Sequence, residues 1–233
     1  LAGTHPNLAQ LHGTYSDEDH VYLLLSVALG GDLYGLYARL GQMRTSRNDL
    51  LEVLTRFYVA SVTLALQYLH GLEVVYRDLK LENCLIDAHG QLRLCDFGMA
   101  KQVSDRTYTR CGSTEYTSPE MLLDQGVNQA CDWWALGVLT FELLVGETPF
   151  SDENGDEMQT YMNILKGDLS SRYPASVSVP EEAKALIAGL CTISVPHRLG
   201  YLKGGVNDII EHEWLASLDW DGLINGTLTP PWH

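Results

Sequence analysis

One stretch constrains this chain more than any other. Tyr76-Arg77-Asp78-Leu79-Lys80-Leu81-Glu82-Asn83 is a polar loop set between two apolar elements, and Asp96-Phe97-Gly98 follows thirteen residues after Asn83. Before the loop lies the strongest helical pattern, residues 50–70, where Leu51, Leu54, Tyr58, Val62, Ala65 and Leu69 recur at three- and four-residue spacing and form one apolar face. After it, strands are predicted near 84–87 and 91–95, with Ala88-His89-Gly90 as the hairpin turn. Such a hairpin returns the chain so that Asn83 and Asp96 can meet.

Upstream, residues 21–27 read as a buried strand that Gly30-Gly31 breaks, and Asp32 can cap a following helix. Residues 96–120 lack periodicity and are rich in Thr, Ser, Arg and Gly, which predicts one long loop of the kind that usually serves function. Helices are expected over Asp132–Gly146, with Asp132 at its start, and over 156–167, 180–191 and 206–213. The fold class is therefore α+β with helix dominant.

The formal net charge of −15 argues against a nucleic-acid partner and favours basic ones. The five cysteines form no CxxC pair, which disfavours a zinc ribbon or a disulfide framework and makes reduced thiols and a cytoplasmic location the expectation. The longest apolar stretch, around 133–146, contains Glu142 and is too short to span a bilayer, so no transmembrane segment is expected. No signal peptide opens the chain, and residue 1 is Leu, which suggests an excerpt from something longer.

The polar loop suits phosphoryl transfer. That reaction needs a carboxylate to position a hydroxyl nucleophile, oxygen ligands for Mg²⁺, and a cation near the moving phosphoryl group. Asp78 can supply the first, Asn83 and Asp96 the second, and Lys80 the third.

The run from Tyr76 to Asn83, then Asp96-Phe97-Gly98, then Ser118-Pro119-Glu120, in this order and spacing, resembles the motif set of the protein kinases. Tyr76 stands where most kinases have His, which is typical of the AGC group that holds the cyclic-nucleotide-dependent enzymes. Segments 106–112, 132–139 and 198–209 resemble that group too, and the ending Trp220-Asp221-Gly222-Leu223 looks most like the catalytic domain of the cGMP-dependent branch. Leu81 replaces the usual Pro, which stiffens the loop less and removes no reacting group.

The resemblance implies roles. Asp78 is the catalytic base, Lys80 contacts phosphate, and Asn83 and Asp96 hold Mg²⁺. Leu25 is the gatekeeper; Ser26 and Ala28 lie on the hinge against the adenine of ATP, and Leu85 floors that pocket. Tyr76, Phe97 and Leu11 belong to a hydrophobic spine. Glu82 and Glu142 read a substrate arginine, and Asp32 meets a second arginine or the ribose. The alternative for Glu142 is an internal ion pair. Thr109 is the expected activating phosphosite, with Arg77 and Lys101 converging on its phosphate. Asp132 supports the catalytic loop as an N-cap, Glu120 and Arg198 form a structural ion pair, and Cys111 reads as inert.

No glycine-rich loop and no V-A-I-K-like strand occurs in the sequence. The expected division is a partial kinase domain: residues 1–28 as small-lobe remnant and hinge, 29–215 as large lobe, and 216–233 as the start of a C-terminal tail. The implied activity is a serine/threonine kinase for basic, arginine-containing proteins. Its parent would bind cGMP in regulatory domains upstream, outside this segment, and the fragment alone would be inactive. Two alternatives stay open: a truncated, non-catalytic scaffold, and a cAMP-dependent-like catalytic subunit.

Overall fold

The computed structural model describes residues 5–41, 48–108 and 112–232. The first strands are β1 (Leu11–Ser16), β2 (Val21–Leu25) and β3 (Gly31–Asp32), followed by α1 (Leu33–Gly41) and α2 (Asn48–Gly71). Then come β4 (Val74–Val75), β5 (Cys84–Ile86), β6 (Leu92–Leu94) and β7 (Lys101–Gln102). Helices complete the chain: α3 (Pro119–Leu122), α4 (Ala130–Val145), α5 (Glu157–Lys166), α6 (Glu181–Leu190), α7 (Asn207–Ile210) and α8 (Trp220–Ile224). This is the α+β arrangement that the pattern predicts.

Helix α4 is the centre. Every residue in it except Glu142 is buried, as expected of a helix that is apolar all round. It ends at Gly146, whose φ of +102° permits the left-handed cap and whose N–H reaches the Glu142 carbonyl at 2.7 Å. On one side it packs on α2, which buries Leu54, Tyr58, Val62, Ala65 and Leu69. On the other it meets α6 so closely that a Cβ at Gly137 would lie 2.6 Å from Cys191 Sγ. The stretch Leu50–Gly71 of α2, mean hydropathy 1.3, has the length and apolarity of a membrane span, but its most apolar 18-residue window is 67% buried and serves as a core helix.

A second buried device ties the helical part together. Arg198 is fully buried and grips Glu120 at both ends of its fork, Nη1–Oε1 2.7 Å and Nη2–Oε2 2.8 Å. Its remaining donors reach the carbonyls of Ala130 at 2.8 Å, Thr192 at 2.9 Å and Ile193 at 3.3 Å. This is the pair that the resemblance implies.

The strands form three small sheets: β1-β2, β3-β5-β6 and β4-β7. Hairpin β5-β6 turns where the Asp87 carboxylate accepts the N–H of His89 (2.8 Å) and of Gln91 (3.0 Å), and Gly90 takes a φ of +82°. The incoming chain joins it in parallel at Leu94, through Leu94 N to Asn7 O and Ala9 N to Leu94 O, each 2.8 Å.

Several expectations need correction. Strand β2 ends at Leu25 and is not buried: Val21 is 75% and Leu23 60% exposed, because nothing among the described residues packs on either face of the β1-β2 ribbon. Leu11 is exposed for the same reason and does not join Tyr76 and Phe97. Residues 96–120 are not one loop, since they hold β7, a 3₁₀ turn at Thr114–Tyr116 and the start of α3. The helix expected at 206–213 is only the four-residue α7. Asp132 is not an N-cap: Gln129 holds that position, and Asp132 lies within the first turn of α4.

Candidate active site

The polar loop leaves β4 under tension. Arg77 has a φ of +67°, costly for a residue with a Cβ. What holds it is the buried carboxylate of Asp132. Oδ1 accepts the Arg77 N–H at 2.8 Å and Oδ2 accepts the Tyr76 N–H at 2.9 Å, while His70 Nε2 lies 2.8 Å from Oδ2. Tyr76, fully buried, adds its hydroxyl to the Cys95 carbonyl and sets its ring edge against Phe97, with centroids 5.6 Å apart. The loop and the Asp-Phe-Gly turn are thereby fastened to each other.

Within this frame the predicted residues converge. Asp78 is buried, and Lys80 Nζ stands 3.1 Å from its Oδ2 and 3.3 Å from Ser113 Oγ. Asn83, in the 3₁₀ turn Leu81–Asn83, donates its amide to the Asp78 carbonyl and to Asp78 Oδ2, both at 2.8 Å. That commits the Asn83 nitrogen and leaves its carbonyl oxygen for another partner. The Cys95 N–H bonds the backbone carbonyl of Asn83 at 2.9 Å, which leaves the side-chain oxygen free and brings Asp96 beside Asn83. Asp96 is exposed, takes a φ of +51°, and accepts the Gly98 N–H on Oδ1 at 3.0 Å. An amide oxygen and a carboxylate from two adjoining turns suit Mg²⁺, which binds through few protein oxygens and completes its shell with phosphates and water. Among the described residues no group of three or more His, Cys, Asp or Glu could hold a metal ion.

A second acidic cluster lies below the loop. Glu142 is the one α4 residue turned out of the core, and it accepts the hydroxyl of buried Tyr116. Glu82 and Glu115 face it from the turns at 81–83 and 114–116. Burial, then repulsion from these two carboxylates, lifts Glu142 from the ordinary carboxylate range to about 7, against the pull of the Tyr116 hydrogen bond. Among the described residues no cation pairs with Glu142, so the internal ion pair is not what they show.

The other candidates divide. Ser26, Ala28 and Leu85 line a cavity of about 370 Å³ together with Leu8, Ala9 and Arg93. Asp32 does not line it; its Oδ1 accepts the Gly35 N–H at 2.6 Å, as a cap of α1. Lys101 pairs with Val75 in β7-β4 and so lies near Arg77, but its Nζ is engaged by Thr107 Oγ1 at 2.9 Å. Thr109 and Cys111 lie outside the described residues. The sequence reading missed Ser113, His70 and Tyr116. Tyr116 meets Glu142 across 26 residues, from a turn to a helix, where no spacing rule operates.

Comparison with known proteins gives the family. A family model for the protein kinase domain matches residues 1–215. The chain is 41% identical over 228 residues to the cAMP-dependent protein kinase catalytic subunit of Arthrobotrys oligospora, covering 98% of this chain and 42% of that protein. It is 43% identical over 226 residues to the cGMP-dependent protein kinase egl-4 of Caenorhabditis elegans, covering 96% of this chain and 28% of that protein. It is 42% identical over 229 residues to human cGMP-dependent protein kinase 2, covering 97% of this chain and 28% of that protein. The chain thus spans less than half the length of these relatives. With the loop of Asp78, Lys80 and Asn83 folded onto Asp96, and with these matches along nearly its whole length, the chain belongs to the protein kinase family and is akin to the AGC-type cGMP- and cAMP-dependent enzymes.

Proposed function

We propose that this chain is the catalytic-loop and substrate-binding part of a serine/threonine kinase that transfers the ATP γ-phosphoryl group to proteins carrying arginine before the target residue. The observation that carries the reading is the triangle of Asp78, Lys80 and Asn83. A buried carboxylate stands ready to receive a hydroxyl proton, with a cation 3.1 Å away and an amide that fixes its orientation. Asn83 and Asp96 would hold Mg²⁺, which supplies charge neutralisation on the phosphates. Ser26, Ala28 and Leu85 would face adenine, Asp32 a second arginine or the ribose, and Glu82 with Glu142 the first arginine. We place residues 1–28 as small-lobe remnant and hinge, 29–215 as large lobe and 216–233 as a tail, in a cytoplasmic protein whose regulatory domains bind cGMP. The 41% identity to the Arthrobotrys enzyme favours a second reading, a cAMP-dependent-like subunit, as strongly.

The 233 residues hold no glycine-rich loop and no V-A-I-K-like strand, parts on which positioning of ATP depends. We therefore expect the purified chain to show no useful turnover, and a longer form that includes them to phosphorylate arginine-containing peptides. Robust activity of the 233-residue chain, abolished by Asp78→Asn, would reject the first expectation. A non-catalytic scaffold would leave both forms inactive.

We also place the activating phosphate on Thr109. The Val75–Lys101 pairing supports this reading by setting Lys101 close to Arg77 along the chain, and a phosphate on Thr109 would draw Lys101 Nζ from Thr107 and offer both cations an anion. Mass spectrometry of the active protein should find Thr109 modified, and Thr109→Ala should cut turnover at least tenfold. Full activity with Thr109 unmodified rejects the assignment.

A further inference from the structure

We propose that arginine recognition at Glu142 is proton-linked: an incoming guanidinium displaces a proton from this carboxyl group to solvent. The inference rests on the reading of Glu142 as part of the arginine subsite and adds to it a dependence on pH.

The geometry makes the case. Glu142 is set in an otherwise buried helix and, among the described residues, has one hydrogen-bond donor, the Tyr116 hydroxyl. Among the described residues the charged and titratable groups that face it are Tyr116 and Glu115 from the turn at 114–116 and Glu82 from the turn at 81–83. Tyr116 is itself driven well above its ordinary value by burial and by Glu142, so it remains a neutral donor. Two of the three neighbours are therefore acids, and none of the three is a cation. A carboxylate so placed lowers its energy by taking a proton, and the shift of Glu142 to about 7 is the expression of that.

When arginine enters, its fork supplies the missing positive charge. The carboxylic O–H bond breaks, the proton passes to water or buffer, and guanidinium N–H groups donate to the carboxylate. No electrons move and the charge balances. The linkage then has a fixed sign. Below the titration midpoint each bound peptide releases close to one proton, and affinity falls as pH falls. Above the midpoint the carboxylate is already ionised, and affinity levels off. With a midpoint near 7, the ionised fraction and hence the affinity should rise about tenfold between pH 6 and pH 8.

Titration calorimetry on the full 233-residue chain tests this. The ligand is a peptide with arginine two and three residues before serine and free of His, Asp and Glu. Titrations are run at pH 6, 7 and 8 in two buffers of different ionisation enthalpy. The expected result is an affinity gain of about tenfold from pH 6 to pH 8, with proton release near one per peptide at pH 6 that fades by pH 8. Glu142→Gln should bind weakly and without the pH dependence. Tyr116→Phe, which removes the donor that favours the ionised form, should move the midpoint upward, and it keeps the test decisive if Glu142→Gln fails to fold. Binding of equal strength at all three pH values, with no proton release, overturns the linkage and leaves the arginine subsite standing. Absence of arginine-dependent binding at every pH overturns the subsite and the linkage together.

Discussion

Asp78→Asn, in a catalytically active form of this protein, is expected to lower kcat on the order of 10²- to 10⁴-fold, the usual contribution of a positioned general base. The structure gives two reasons to expect the upper part of that range. The substitution removes the proposed acceptor of the hydroxyl proton. It also takes away the negative charge that holds Lys80: with the amide oxygen kept on Asn83 Nδ2, 2.8 Å from the Oδ2 position, the amide nitrogen takes the place of Oδ1, 3.3 Å from Lys80 Nζ, and donor then faces donor. The KM for peptide should change far less, because Glu82 and Glu142 stay in place. Asp96→Ala should produce a comparable fall in kcat by a different route, with a raised Mg²⁺ requirement. Steady-state kinetics across a Mg²⁺ series distinguishes the two, and near-wild-type turnover in Asp78→Asn would end the assignment of Asp78 as the base.

The second large effect is on stability. Arg198→Met leaves the Glu120 carboxylate buried without its cation and strips the carbonyls of Ala130 and Thr192 of their donor. Breaking a buried pair from one side costs about 3–5 kcal/mol, which for a chain of this size lowers Tm by roughly 10 °C. Arg198→Lys should recover little, since an ammonium cannot span both Glu120 oxygens and the two carbonyls at once. Urea unfolding of wild type and both variants measures this. A loss below about 1 kcal/mol, within the range of exposed pairs, would show that the pair contributes nothing special.

The parts of the fold that were legible in the sequence are those where a single element carries its own signal. Helix α2 announced itself through Leu54, Tyr58, Val62, Ala65 and Leu69, and the β5-β6 hairpin through Ala88-His89-Gly90. The meeting of Asn83 with Asp96 followed from that hairpin. An acidic residue at a helix start looks the same whether it bonds its own helix or a distant loop, so the pattern alone puts Asp132 at a cap; only the fold shows that its oxygens serve Tyr76 and Arg77. The β2 run reads as buried because Val21–Leu25 is apolar on both faces, and apolarity reports what could be covered rather than what is. Tyr116 escaped because a phenol in a Thr-Glu-Tyr-Thr run carries no local sign of a partner on α4.

The three bonds made by Asp132 have a consequence for how substrate binding is used. They hold the unfavourable backbone at Arg77 and anchor it to the buried helices α2 and α4. Asp78, the next residue, therefore stands preorganised before a hydroxyl arrives. The free energy released when a peptide docks need not go into ordering the loop, and remains available to lower the barrier of the transfer step.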